Sequence, residues 1–217
     1  MPQSRSLVPA PAGAVAGPAH GGRAVVITDA SSPIGLASAA QVAQRGDLVL
    51  MGSRYGDACE RLAAGLRARG AAAFAAALDL ADAGSIDRFV DSAHYLVGEI
   101  DVVVADVTPL VSAAGPYTVG AQHLAAQLVP PMIERGSGDV VLVSPEPLAR
   151  TGQRHLEAWL SGLDAEFVGS GVRVSLVRSA PAGGCLAPHD VGRVVAALLE
   201  PSAPSHLRVV EVIPRMC

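Results

Sequence analysis

Lysine is absent from the 217 residues, so every basic side chain is arginine or histidine. A phenol activated by a neighbouring lysine ammonium therefore cannot be built here. Aromatic residues make up only 3% of the chain although half of it is hydrophobic, so the core has to be aliphatic. The three cysteines, Cys59, Cys185 and Cys217, are far apart, odd in number and without metal spacing. They exclude a disulfide framework and a cysteine metal site, and they fit a cytoplasmic setting. No apolar run reaches membrane-spanning length, which excludes a helical membrane anchor. The net charge of −4 offers no electrostatic footprint for nucleic acid. Residues 1–21 are rich in proline, alanine and glycine and have little to bury, so a disordered leader is expected. Pro9, Pro11 and Pro18 make that stretch a poor signal-peptide core.

What is present begins at Ala24-Val25-Val26-Ile27, four apolar residues that suit a strand covered on both faces. Thr28 to Ser32 then form a tight turn, and Ser31 or Ser32 caps the helix that opens at Pro33. A strand, a turn and a helix N-terminus together form the geometry that receives a pyrophosphate. The helix closes at Gly46. Further strands are expected at 48–51, 71–80, 101–105, 139–144, 172–177 and 208–213, with Pro214 ending the last. The third is so alanine-rich that propensity alone would not assign it. Helices are expected at 55–69, from Asp82 to Gly98 with Ile86, Phe89 and Val90 inside, and at 118–134. Another carries Leu156, Trp159, Leu160, Leu163 and Phe167 on one stripe, and the last runs over 190–199. This alternation gives a single α/β domain over residues 22–217, a doubly wound parallel sheet of about seven strands.

The order and spacing resemble the short-chain dehydrogenase/reductase family over nearly all of the chain after residue 21. Thr28-Asp29-Ala30-Ser31-Ser32-Pro33-Ile34-Gly35 is similar to that family's T-G-x-x-x-G-x-G turn. Asp79-Leu80 matches its adenine-contacting pair. Leu128-Val129-Pro130-Pro131-Met132, Gly138-Asp139-Val140-Val141, Gly171-Val172-Arg173-Val174 and His189-Asp190-Val191 continue the match in order. The resemblance implies a Rossmann-type fold with NADP(H) held by Thr28, Ser31, Ser32, Ile34, Gly35, Arg54, Asp79 and Leu80. Arg54 falls where NADPH-preferring members carry a basic residue, and a guanidinium suits a 2′-phosphate. A solvated surface arginine is the other reading. Asp29 and Pro33 stand where the family has glycines. A carboxylate about 5 Å from a pyrophosphate charge costs on the order of 3 kcal/mol, roughly a hundredfold in affinity. Pro33 removes a donor and blocks close approach of the backbone. NADP(H) binding is thus expected to be weakened, with no cofactor as the alternative.

The resemblance also implies an active site of Asn, Ser, Tyr and Lys. Here those positions fall on Tyr117, on Pro145 with Ser144 beside it, and near Ala149 and Gln153. The family's N-N-A-G is replaced by Ala105-Asp106-Val107-Thr108. The segments 108–117, 144–153 and 179–188 are shorter than in the family and lie at strand carboxyl ends, so a shallow, wetter cleft is expected. Its polar residues are Asp29, Ser31, Asp106, Thr108, Tyr117, Ser144, Glu146, Arg150 and His155. Asp106 and Glu146 read either as a carboxylate pair or as solvated loop residues, and Tyr117 as filler or as a new acid. Catalytic candidates are Asp106, Tyr117, Ser144 and Glu146. Cys185 in a glycine-rich loop has no activating neighbour in sequence. Three functions remain open: a redox-neutral enzyme (isomerase, cyclase or lyase) acting on a small metabolite, a non-catalytic binding or auxiliary partner protein, or an atypical NADP(H)-dependent oxidoreductase. The resemblance implies a homodimer or homotetramer.

Overall fold

The computed structural model describes residues 21–107, 116–144, 150–179, 187–200 and 206–213. The 1–20 part of the expected leader, the three trimmed segments for the most part, and Pro214 lie outside these residues. The elements alternate throughout: β1 (Ala24–Ile27), α1 (Pro33–Gln44), β2 (Leu48–Ser53), α2 (Gly56–Arg67), β3 (Ala73–Ala77), α3 (Ala83–Val97) and β4 (Val102–Asp106). They continue with α4 (Pro116–Arg135), β5 (Gly138–Ser144), α5 (Arg150–Phe167), β6 (Val172–Ser179), α6 (Pro188–Leu198) and β7 (Val209–Val212). All seven strands pair in parallel, in the order β3-β2-β1-β4-β5-β6-β7. The order reverses between β1 and β4, and open α/β sheets bind ligands at that crevice.

The sheet is covered on both faces, so the central strands are apolar on both. On one face Leu50, Val103, Leu142 and Leu176 pack with Ile86, Phe89, Leu128 and Leu156. On the other, Val25, Ile27, Met51 and Val104 pack with Val42, Ala63, Val191 and Val195. Neighbours in one strand alternate between these clusters, as the two-residue strand period requires. The alanine-rich β3 is an edge strand beside α2 and α3, and tertiary position overrides its weak propensity. Pro130 and Pro131 stand inside α4 without ending it. Asp82 caps α3, its carboxylate accepting the Gly84 N–H at 2.9 Å.

The amino-terminal end of the sheet is closed by ion pairs. Asp139, 5% exposed, accepts from Arg23 at 2.5 Å and bidentately from Arg173 at 2.7 and 3.0 Å. Arg23 also donates to the Asp101 carbonyl, and its N–H to Asp47. Asp101 accepts the Ala24 N–H at 2.8 Å. The starts of β1, β2, β4, β5 and β6 are thereby tied together. Among the described residues, no helix is long and apolar enough to cross a membrane.

Candidate functional site

The opposite, carboxyl end of the sheet carries the candidate site. β1 leaves the sheet at Thr28, 3% exposed, whose N–H donates to the Val104 carbonyl at 3.0 Å. Asp29 follows with φ of 47°, among the described residues the one non-glycine residue at positive φ. That conformation costs a residue with a side chain on the order of 1–3 kcal/mol and is the one a glycine supplies freely. The turn is then fixed by its own hydrogen bonds. Ala30 donates to the Gly52 carbonyl, and Ser32 to the Asp29 carbonyl, both at 2.9 Å. Ser32, not Ser31, is the cap: its Oγ accepts the Gly35 N–H at 3.0 Å. Gly35 is required by close approach, because a Cβ there would stand 2.4 Å from the Asp29 carbonyl oxygen.

Ser31 has a different task. Its Oγ lies 2.7 Å from that of Ser53, at the end of β2, and Ser53 in turn accepts the Tyr55 N–H. This joins the turn to the strand end from which Arg54 projects, its guanidinium 5.0 Å above the Tyr55 ring. The Arg54 charge also acts on Asp29. Loss of hydration pushes the Asp29 carboxyl above its ordinary value, and a hydrogen bond from Ser31 and the Arg54 charge act against that. Past β3, the Asp79 carboxylate accepts the Ala81 N–H at 2.9 Å, and its backbone N–H donates to the Ser85 hydroxyl. Leu80 lies against α4 so closely that a Cβ on Gly120 would stand 1.7 Å from its carbonyl oxygen.

The structure therefore brings Thr28, Ser31, Ser32, Ile34, Gly35 and Arg54 into one rim over the ends of β1 and β2, with Asp79 and Leu80 beside it past β3. The first turn of α1 is already partly used. Pro33 has no N–H, Gly35 is bonded to Ser32 Oγ and Leu36 to the Ser32 carbonyl. Among the described residues the Ile34 N–H makes no hydrogen bond to the capping segment.

The other half of the site is arranged differently. Asp106 ends β4, partly exposed. It has an interaction partner and lines, with Thr28, the upper end of a narrow apolar slot between α4 and α5. Trp159 and Leu124 form walls of that slot and Ala105 and Leu142 its floor. Ser144 ends β5, fully buried, and its Oγ has no hydrogen-bond partner among the described residues. Tyr117 falls in the first turn of α4. Thr108, Pro145, Glu146, Ala149 and Cys185 lie outside the described residues, so the Asp106–Glu146 pair is untested. Arg150 and His155 are exposed on α5. Gln153, at the expected lysine position, donates to Glu157.

Two features had escaped the sequence reading. Arg178 of β6 stands in register with Ser144 and bridges Glu157 of α5 at 3.0 Å and Glu211 of β7 at 2.5 Å. Burial opposes its charge, but the hydrogen bonds to Glu157 and Glu211 outweigh that and hold the guanidinium above its usual value. Partners 21 and 33 residues away leave no local signal. The second feature was legible: asparagine, like lysine, is absent from the whole sequence. Two of the four expected catalytic residue types therefore occur nowhere in the chain. Among the described residues, no group of His, Cys, Asp and Glu is placed to hold a metal ion.

Residues 23–115 match the family model described as short chain dehydrogenase. The chain is 33% identical over 180 residues to a 1-deoxy-11-beta-hydroxypentalenate dehydrogenase of Streptomyces exfoliatus, covering 71% of this chain and 66% of that one. It is 25% identical to the ketoacyl reductase HetN of a Nostoc species, covering 72% of this chain and 62% of that one. The chain thus spans about two thirds or less of the length of these curated relatives. Among solved structures, a metagenomic short-chain oxidoreductase in complex with NADP superimposes with a TM-score of 0.77 at 24% identity, over 90% of this chain and 98% of that one. A gluconate 5-dehydrogenase from Burkholderia cenocepacia in complex with NADP and tartrate gives 0.74 at 20% identity, over 88% and 94%. These likenesses show the fold.

Proposed function

The chain belongs to the short-chain dehydrogenase/reductase family of oxidoreductases, and from this premise we propose that it holds the adenosine 2′-phosphate end of NADP(H) without running the family's tyrosine–lysine proton transfer. The observation that carries the proposal is the bonded rim from Thr28 to Gly35, joined through Ser31 and Ser53 to the strand end bearing Arg54. Ser53 and Arg54 suit a phosphate on the ribose, and Asp79 with Leu80 suits the adenine edge and face. The fit is good at this end and poor at the pyrophosphate, where Asp29 sets a carboxylate and Pro33 withholds a donor.

NADP(H), when bound, supplies or accepts a hydride at its nicotinamide. What the chain itself can do beside it is limited by its residues. No lysine exists to lower a phenol pKa or to hold the ribose. Ser144 is buried, its hydroxyl without a partner among the described residues, and Arg178 beside it is engaged by two glutamates. The relatives are named as dehydrogenases and ketoreductases, so a role beside such chemistry, as a nucleotide-binding member of this family, is the reading we favour. A redox-neutral enzyme keeps one observation in its support. Asp29 and Asp106 end the two strands that flank the switch point, and one of these two carboxyls is held above its ordinary value. Pairing of two copies through α4 and α5 remains part of the proposal, resting on the family resemblance.

The test is titration with NADPH followed by Trp159 fluorescence, the only indole, and by calorimetry. Saturable binding that weakens in Arg54→Ala supports the proposal. Binding unaffected by Arg54→Ala, or rapid ketone reduction with NADPH, overturns it. Turnover of a metabolite without nucleotide, lost in Asp106→Asn, would favour the redox-neutral reading.

A further inference from the structure

We infer that the apolar slot between α4 and α5 is a second ligand site, one that takes the unbranched alkyl chain of a single-chain amphiphile, with an uncharged hydroxyl-type head at the carboxyl ends of β4 and β5. The inference goes beyond the nucleotide reading and does not depend on it.

Three observations carry it. The first is packing. α4 packs chiefly against α3 and α5 against β6, and the slot stays open between the two helices over the sheet. One face of each helix supplies its walls, Ala121, Leu124 and Leu128 from α4 and Trp159, Leu163 and Phe167 from α5, at helical spacing. Protein interiors are normally close-packed, so a gap lined in this way departs from the rest of the core. Ala105, Ala125, Trp159 and Leu163 on its lining are only partly buried. A ligand in the slot therefore removes apolar surface from water.

The second is shape. From Ala121 to Val129 along α4, and from Trp159 to Phe167 along α5, the slot runs about 12 Å at the helical rise of ~1.5 Å per residue. Its cavity volume of about 40 Å³ exceeds the ~10–15 Å³ that one water requires and falls well short of the ~150 Å³ of a cavity that takes benzene. A slot this long and this narrow takes one polymethylene chain in single file and excludes a ring.

The third is the chemistry of its upper end. Ser144 follows Leu142 by two residues on β5, so it faces the same side of the sheet as the slot floor. Its hydroxyl is buried and has no partner among the described residues. Thr28 and Asp106 line the slot at the same end. A hydroxyl head both donates and accepts, so it can serve either the serine or the carboxylate. A carboxylate head would meet Asp106 beside apolar walls, where like charges repel most strongly and lost hydration costs most.

The experiment titrates the protein, without nucleotide, with 1-butanol, 1-hexanol and 1-octanol, and with cyclohexanol and octanoate as contrasting probes. Trp159, the only indole, reports from the slot wall, and calorimetry gives the affinities. Affinity should rise about fourfold with each methylene along the series, the worth of one buried CH₂. 1-Hexanol should bind more tightly than cyclohexanol, and 1-octanol more tightly than octanoate, each by about tenfold or more. Ala125→Leu, which fills the slot, should weaken 1-octanol binding about tenfold or more, and Ser144→Ala about fivefold. Thermal melting first shows that each variant folds, and the probe series on the wild type decides the point even where one does not. Equal affinity across the chain lengths, cyclohexanol bound as tightly as 1-hexanol, or unaltered 1-octanol binding in folded Ala125→Leu overturns the inference. So does a Trp159 spectrum that changes with protein concentration and not with 1-octanol, which would make the slot the seat of a second copy of the chain.

Discussion

The two ends of the sheet treat polar groups in opposite ways. At the amino-terminal end Asp139 accepts three hydrogen bonds from Arg23 and Arg173, and Asp47 and Asp101 are each shared between backbone and arginine. At the carboxyl end Asp29 is strained and partly desolvated, and Ser144 Oγ is buried without a partner among the described residues. Buried polar groups are normally satisfied; among the described residues the exceptions are the hydroxyls of Ser144, at this end, and of Ser38, within α1. The first end holds strands in register. The second is where we propose a ligand binds, and its own two halves differ: the β1–β2 rim is joined by its own hydrogen bonds, while the lysine and asparagine that the family resemblance implies for the β4–β6 half occur nowhere in the chain.

The largest expected effect breaks the first end. Asp139→Ala leaves Arg23 and Arg173 facing each other without the carboxylate, and destabilisation of about 3–5 kcal/mol is expected from chemical denaturation. Adenosine 2′-monophosphate affinity in the folded fraction should be unchanged. A loss of binding without a loss of stability would mean that the two ends are not separate in function. Next in size is Arg54→Ala, which removes the charged donor of the rim. Binding of the same probe should weaken about tenfold or more, the worth of one charge-assisted hydrogen bond, with little change in melting.

Ser144→Ala sharpens the comparison from the other half. Removing a buried hydroxyl with no partner among the described residues should leave stability unchanged or raise it by about 1 kcal/mol. A clear destabilisation would show that this hydroxyl is bonded in solution. The smallest effect is a pH dependence. The fold holds the Asp29 carboxyl above its unfolded value, so ionising it costs stability. The native state is favoured on the acid side, and that advantage is lost as pH rises through the ordinary carboxyl value towards the raised one. Asp29→Asn should therefore gain in stability over the wild type above that window and not below it, as read from denaturation at several pH values.

The sequence made the sheet legible because apolar strands, capping residues and terminal glycines act locally. Asp82 and Ser32 are caps for reasons visible within four residues of each. The alanine-rich β3 was legible by its place in the alternation, since its side chains carry little strand preference. The strand–turn–helix of the β1–β2 rim was legible in its residues but not in its bonding: the choice between Ser31 and Ser32 as cap, and the tie from Ser31 to Ser53, depend on the turn's path. The Glu157–Arg178–Glu211 bridge was not legible at all, because three elements bring it together. The absence of lysine and asparagine needed no structure.

The central claim is that the carboxyl ends of β1 and β2 still form a nucleotide rim. Hydrogen–deuterium exchange with and without saturating adenosine 2′-monophosphate tests it most directly. The account predicts slower exchange at residues 28–36, 53–55 and 79–81, with residues 142–144 and the strand starts unchanged. No protection in the 28–36 turn, or protection confined to the β4–β6 half, would contradict it.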